Sequence, residues 1–158
     1  MKYLKGDLCK ASQDHIVHGC NSHGVMGTGV AKAIREAFPG CFESYRDQLV
    51  AWKEHYPVNL GMDCTFYDVD SGKTIHNLIT QMDYGPGDKK YARYLAIANG
   101  IDSLLFYDPS IRELALPMIG CGTGGLDWYI VKELLAEIEE GREVDFTIYT
   151  LEDVIVAL

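Results

Sequence analysis

The chain has 158 residues, 47% of them hydrophobic, with 14 basic and 23 acidic side chains and a net charge of −9. That length fits one domain, 1–158, able to bury roughly 70% of its unfolded surface without a disulfide or metal staple. The acidic balance excludes a long nucleic-acid track, which needs clustered Lys and Arg, but not a small anion held by backbone N–H groups. In chain order, Met1-Lys2-Tyr3-Leu4-Lys5-Gly6-Asp7 carries no apolar signal core, and no later run nears the ~18 apolar residues of a membrane span. His15-Ile16-Val17-His18-Gly19-Cys20 reads as a buried strand. A helix is expected from Val30 to Phe38, with Val30, Ala31, Ile34, Ala37 and Phe38 facing inward, until Pro39-Gly40 stops it. Phe42, Tyr45, Leu49 and Trp52 recur at helical spacing in a second helix, Cys41 to about Tyr56. Strands are expected at Cys64–Val69 and Lys73–Thr80 around the turn Asp70-Ser71-Gly72. A breaker-rich loop over 83–88 precedes a helix from about Lys90 to Phe106. A short strand, Glu113 to Met118, a helix, Trp128 to Glu140, and a last strand, Asp145 to Leu151, complete the pattern. Such alternation predicts a layered α/β domain with helices on both faces of a largely parallel sheet.

Two glycine-rich loops stand out in this pattern. Gly24-Val25-Met26-Gly27-Thr28-Gly29 leads from the first buried strand into Val30-Ala31-Lys32-Ala33-Ile34. Gly120-Cys121-Gly122-Thr123-Gly124-Gly125 leads from the short strand towards Asp127-Trp128 and a helix. A strand, a glycine loop and a helix N-terminus form an anion cradle, because unpaired N–H groups and the helix dipole both favour negative charge. Two cradles at the carboxyl ends of parallel strands suggest a diphosphate, or one phosphate clamped from both sides. Tight turning alone would also explain either loop. The dinucleotide fingerprint fails, since Lys32 stands where its third Gly belongs. A P-loop fails as well: Gly72-Lys73-Thr74 would place its leading Gly at Tyr67 and is followed by a strand.

The polar residues beside the loops admit two readings each. His18 serves either as a satisfied core histidine or, like His23, as an acid or base near neutral pH. Asn21 suits a sugar hydroxyl. Cys20 paired with His18 is a weak nucleophile candidate, and His18, Cys20 and His23 match no metal spacing. Asp127 fits a helix N-cap, a water-orienting carboxylate, or both. Asp7 fits a turn or an acceptor for an adenine amine. The cysteines, Cys9, Cys20, Cys41, Cys64 and Cys121, contain no C-x-x-C pair and point to reduced thiols in a cytoplasmic setting.

Across its whole length the chain resembles a macrodomain, the ADP-ribose-binding fold. The resemblance rests on Lys5-Gly6-Asp7-Leu8, on His18-Gly19-Cys20-Asn21 with Gly24-Val25-Met26-Gly27-Thr28-Gly29-Val30-Ala31, on Leu116-Pro117-Met118-Ile119-Gly120-Cys121-Gly122, and on Thr147-Ile148-Tyr149-Thr150-Leu151. It implies a three-layer α/β/α fold around a mixed sheet. It also implies that Asp7 meets adenine, that Asn21 faces the distal ribose and that both loops wrap the diphosphate. The ligand contacts it implies are Asp7, Leu8, Cys20 and Asn21; Gly24, Val25, Gly27, Thr28, Gly29 and Val30; and Ile119, Gly120, Cys121, Gly122, Thr123, Gly124, Gly125 and Leu126. No cofactor or metal is expected.

Within the family the chain is similar to small stand-alone phage and bacterial macrodomains and to ADP-ribose 1″-phosphate phosphatases. It also resembles the branch holding glycohydrolases that remove ADP-ribose from protein or DNA. Glycohydrolases of that branch carry a Lys shortly after the strand ending near Thr80, at or beside Gln81, where Ile79-Thr80-Gln81-Met82-Asp83 has none, and the protein-directed type carries an Asp where Thr123-Gly124-Gly125 stands. His18 matches the phosphatase type. The resemblance therefore implies hydrolysis of ADP-ribose 1″-phosphate, with His18, Asn21 and Asp127 as the catalytic set. The alternatives are a non-catalytic ADP-ribose reader or sponge and a glycohydrolase acting on an ADP-ribosylated macromolecule.

Overall fold

The computed structural model describes residues 1–86 and 88–153. Six strands form one sheet: β1 (Lys2–Lys5), β2 (His15–Asn21), β3 (Asp63–Asp68), β4 (Lys73–Gln81), β5 (Glu113–Leu116) and β6 (Asp145–Thr150). Their order across the sheet is β1-β6-β5-β2-β4-β3. Every pairing is parallel except the edge hairpin of β3 with β4. The four α-helices are α1 (Gly29–Ala37), α2 (Cys41–Lys53), α3 (Tyr94–Tyr107) and α4 (Trp128–Arg142). This is the expected mixed, largely parallel α/β architecture.

Alternation along the strands divides the core. On one face Ile16, Ile75 and Ala115 pack with Ile34 and Phe38, while Cys20 and Ile79 pack with Tyr45 and Leu49. On the other, Val17, Leu78, Leu114, Leu116, Phe146 and Ile148 pack with Ile97, Ile101, Val131 and Leu135. Period-two side chains thus feed a helix layer on each side, as a parallel sheet requires. Among the described residues, no helix is long and apolar enough to cross a membrane.

Several boundaries differ from the sequence reading for local reasons. The strand β1 lies outside the predicted set; it adds to the edge of β6 in register Lys2↔Thr147 to Lys5↔Thr150. Helix α3 begins at Tyr94 rather than Lys90 because the preceding residues make other bonds. The Tyr91 and Ala92 N–H groups both donate to Gly124 O, and Arg93 N–H donates to Thr80 O. These bonds tie the second glycine loop to the end of β4. Pro117 follows directly on Leu116, where β5 ends. In α1 the inner stripe narrows to Ile34, with Phe38 buried just past its end; Val30 and Ala37 are exposed.

Candidate functional site

A cleft of about 470 Å³ opens at the carboxyl ends of β2, β4 and β5. Asn21, Val25, Gly27 and Thr28 line it from the first loop, with Gly29, Val30 and Ala31 from the start of α1. Pro117, Met118, Ile119, Gly120, Gly122, Thr123 and Gly124 line the opposite side, and Gly19, Cys20, Thr80, Gln81 and Tyr84 complete the wall. Among the described residues, no Asp, Glu, Lys, Arg or His lines it. Recognition of a charged ligand there falls to the backbone.

The backbone is arranged for that role. No acceptor among the described residues receives the N–H of Gly27, Thr28, Gly29, Val30 or Ala31, nor that of Gly122, Thr123 or Gly124. Thr28 is the N-cap of α1 but makes no capping bond, and the first turn holds no acidic side chain. The positive end of that helix is therefore uncompensated and open to an anion. The glycines separate into two kinds. Gly120 has φ +78°, and a Cβ on Gly124 would lie 2.6 Å from Gly120 O and 2.8 Å from Ala92 Cβ. Turning and packing account for both. Gly27 and Gly122 have no positive φ. A Cβ on Gly122 would meet nothing within 4 Å, and one on Gly27 only Val25 Cγ1 at 3.8 Å. Nothing in the fold requires glycine at these two positions. They leave bare backbone along the cleft.

Among the side chains, Asn21 braces the first loop. Its Oδ1 accepts from His23 N–H at 2.9 Å and its Nδ2 donates to Val25 O at 2.9 Å. Tyr45 Oη donates to the Asn21 carbonyl from α2. Gln81 Nε2 donates to Asp83 O at 2.7 Å, and no donor among the described residues reaches Gln81 Oε1. At the edge of this region His23 Nε2 lies 2.9 Å from Asp83 Oδ1, with its ring edge-on to Tyr84. Cys20 is buried, and desolvation pushes its thiol well above the ordinary range, so the thiolate nucleophile is suppressed.

His18 corrects an expectation. It is fully buried on the α1–α2 face, where its Nε2–H donates to Asn77 Oδ1 at 2.6 Å. Burial pushes its pKa down to about 4. It does not line the cleft, so the sheet interior holds it as a neutral core histidine rather than as a proton donor to a ligand. Asp127 is likewise engaged elsewhere. Its Oδ1 accepts from Tyr129 N–H at 2.9 Å as the N-cap of α4, and it stands outside the cleft wall.

Comparison with known proteins places this cleft in a family. The Macro domain family model matches residues 17–135. The chain belongs to the macrodomain family. It is 29% identical to the DNA ADP-ribosyl glycohydrolase of Thermus aquaticus, with 90% of this chain aligned to 39% of that protein. This macrodomain thus spans about two fifths of that relative's length. It is 28% identical to the ADP-ribose glycohydrolase OARD1 of Bos taurus, over 94% of this chain and 90% of that one. The solved macrodomain of Mycobacterium tuberculosis DarG superposes with a TM-score of 0.78 at 26% identity, covering 94% of this chain and 95% of that one. Family membership supports the ADP-ribose-binding reading of the two loops.

Of the expected ligand contacts, the cleft gathers Cys20, Asn21, Val25, Gly27, Thr28, Gly29, Val30, Ile119, Gly120, Gly122, Thr123 and Gly124. Gly24, Cys121, Gly125 and Leu126 do not line it, and Leu8 is buried in the cluster of Ala11 and Tyr149. Asp7 also lies outside the wall; its Oδ1 accepts from Cys9 N–H and caps the single 3-10 turn Leu8–Lys10. Gly19, Ala31, Thr80, Gln81, Tyr84, Pro117 and Met118 line the cleft without having been expected as contacts. Gln81 had a signal, since the resemblance implies a Lys at or beside it. Tyr84 had none, because it sits in an aperiodic loop.

Proposed function

We propose that this macrodomain binds ADP-ribose in the cleft and hydrolyses the bond joining the distal ribose to a macromolecule. The observation that carries the binding is the pair of facing N–H rows on a wall without ionic side chains. A diphosphate would take those donors from both sides, with Asn21 and Gln81 beside the distal ribose. Adenine would extend towards Asp7 along the β1–β6 edge of the sheet. The hydrolytic reading draws on the names of the aligned relatives, which are ADP-ribosyl glycohydrolases of DNA and an ADP-ribose glycohydrolase.

The chemistry must rest on placement and charge stabilisation rather than on a strong acid or base. Fixed N–H groups hold the diphosphate and so orient the ribose, and water exclusion strengthens those bonds. Gln81, anchored through Nε2, presents Oε1 to a water or a ribose hydroxyl. The phosphatase reading loses two of its three groups, since His18 bonds Asn77 and Asp127 caps α4. A reader without turnover is the second reading, and the absence of carboxylate, Lys and His from the wall favours it.

Purified protein incubated with ADP-ribosylated DNA, ADP-ribosylated protein and ADP-ribose 1″-phosphate decides among these. The proposal expects free ADP-ribose from one of the first two, lost in Gln81→Ala while ADP-ribose binding persists. Phosphate release alone identifies a phosphatase. Binding without any release identifies a reader.

A further inference from the structure

A second cavity, also of about 470 Å³, opens at the opposite end of the sheet, between the starts of β2 and β4, the strand β3 and the end of α3. A relay of side chains runs along its wall. His76 Nδ1–H donates to Asp63 Oδ2 at 2.6 Å, and Thr65 Oγ1 donates to the same oxygen at 2.9 Å. His76 Nε2 lies 3.1 Å from His15 Nδ1, with the two rings stacked 5.4 Å apart. One proton bridges His15 Nδ1 and His76 Nε2, and the tautomer sets which ring donates. The second ring nitrogen of His15, Nε2, has no protein partner among the described residues. Strand pairing builds this arrangement: His76 on β4 stands opposite Val17 of β2 on one side and Thr65 of β3 on the other.

The rest of the wall also presents acceptors. Asp63 Oδ1 is buried and has no hydrogen-bond partner among the described residues. Asp108 ends α3, and hydrogen bonds from Ser110 hold its carboxyl below the usual range, so it stays charged. The last turn of α3 carries no basic residue, which leaves its carbonyl end uncompensated beside that carboxylate. No Lys or Arg lines the cavity. Tyr107 adds an exposed aromatic ring.

We propose that this cavity binds an organic cation with several N–H donors, of the guanidinium or polyamine class. Asp63 Oδ1, the Asp108 carboxylate and the last carbonyls of α3 accept its hydrogen bonds, and Tyr107 offers a ring face to its charge. A metal ion fits poorly, because both nitrogens of His76 are committed within the relay. The site lies at the far end of the strands from the nucleotide cleft and does not depend on the reading of that cleft.

The test follows the imidazole resonances of His15 and His76 in the full chain at pH 7.5 and constant ionic strength. The probes are agmatine, spermidine and tetramethylammonium, the last carrying charge without N–H donors. The proposal expects saturable shifts with agmatine or spermidine and none with tetramethylammonium. It also expects at least a fivefold loss of affinity in Asp108→Asn, an exposed substitution that leaves the remaining amide spectrum in place. Preference between agmatine and spermidine separates a guanidinium ligand from a polyamine. Linear shifts without saturation, an equal response to tetramethylammonium, or unchanged affinity in Asp108→Asn overturns it.

Discussion

The nucleotide cleft and the second cavity have equal volumes and sit at opposite ends of the same parallel strands, yet their walls are chemically inverted. The cleft receives the N-terminus of α1, bare loop N–H groups and no ionic side chain. The cavity receives the C-terminus of α3 and two carboxylates. The inversion follows from the fold. Parallel strands alternating with helices gather helix N-termini at their carboxyl ends and helix C-termini at their amino ends. The cleft end offers a helix N-terminus and bare N–H groups, and the other end offers helix carbonyls to which side-chain carboxylates add.

This contrast breaks if the buried middle of the sheet takes part in either site, and His18 tests that. Its pKa is about 4 in the folded chain against an ordinary 6.5, so the unfolded chain takes up a proton first as pH falls. The stability it contributes is complete above pH 6.5 and is lost towards pH 4, amounting to about 3 kcal/mol. His18→Gln is expected to flatten the fall in stability between pH 7 and pH 4.5, measured by denaturant unfolding, while ADP-ribose affinity at pH 7.5 stays the same. A loss of affinity would return His18 to the cleft.

A smaller effect sharpens the division between structural and ligand-facing glycines at the cleft end. Gly124→Val forces a side chain against Gly120 O and Ala92 Cβ, and overpacking of that kind costs about 1–3 kcal/mol. Thermal unfolding is expected to show a clear drop in Tm. The smallest effect concerns Asp127. Asp127→Ala removes the cap of α4 and lowers stability by about 1 kcal/mol. Any ADP-ribose-releasing turnover should persist in that variant, whereas its abolition would restore Asp127 to the reaction.

Much of this polarity was legible before any coordinates. The strand–glycine–helix pattern is local, and both loops could be placed because each lies between a β-rich run and an amphipathic stripe. β1 escaped because it has four residues, two of them Lys, and gains its strand character only by pairing with β6. Thr80 and Tyr84 joined the cleft through the tertiary placement of the end of β4 and of the residues just after it. The relay from Asp63 through His76 to His15 was beyond sequence reading for a sharper reason. It depends on the register of β2 and β3 against β4, where a one-residue slip would turn the side chains to the opposite face. His18 misled because its position in a motif carries no statement about which way a buried ring points.

The central claim is that glycine at Gly122 serves a ligand and not the fold. Calorimetric titration of ADP-ribose into the wild type and Gly122→Val, with Tm recorded for both, measures this directly. The account predicts an unchanged Tm and at least a tenfold loss of affinity, about 1.4 kcal/mol. Equal affinity in a folded Gly122→Val protein would contradict it.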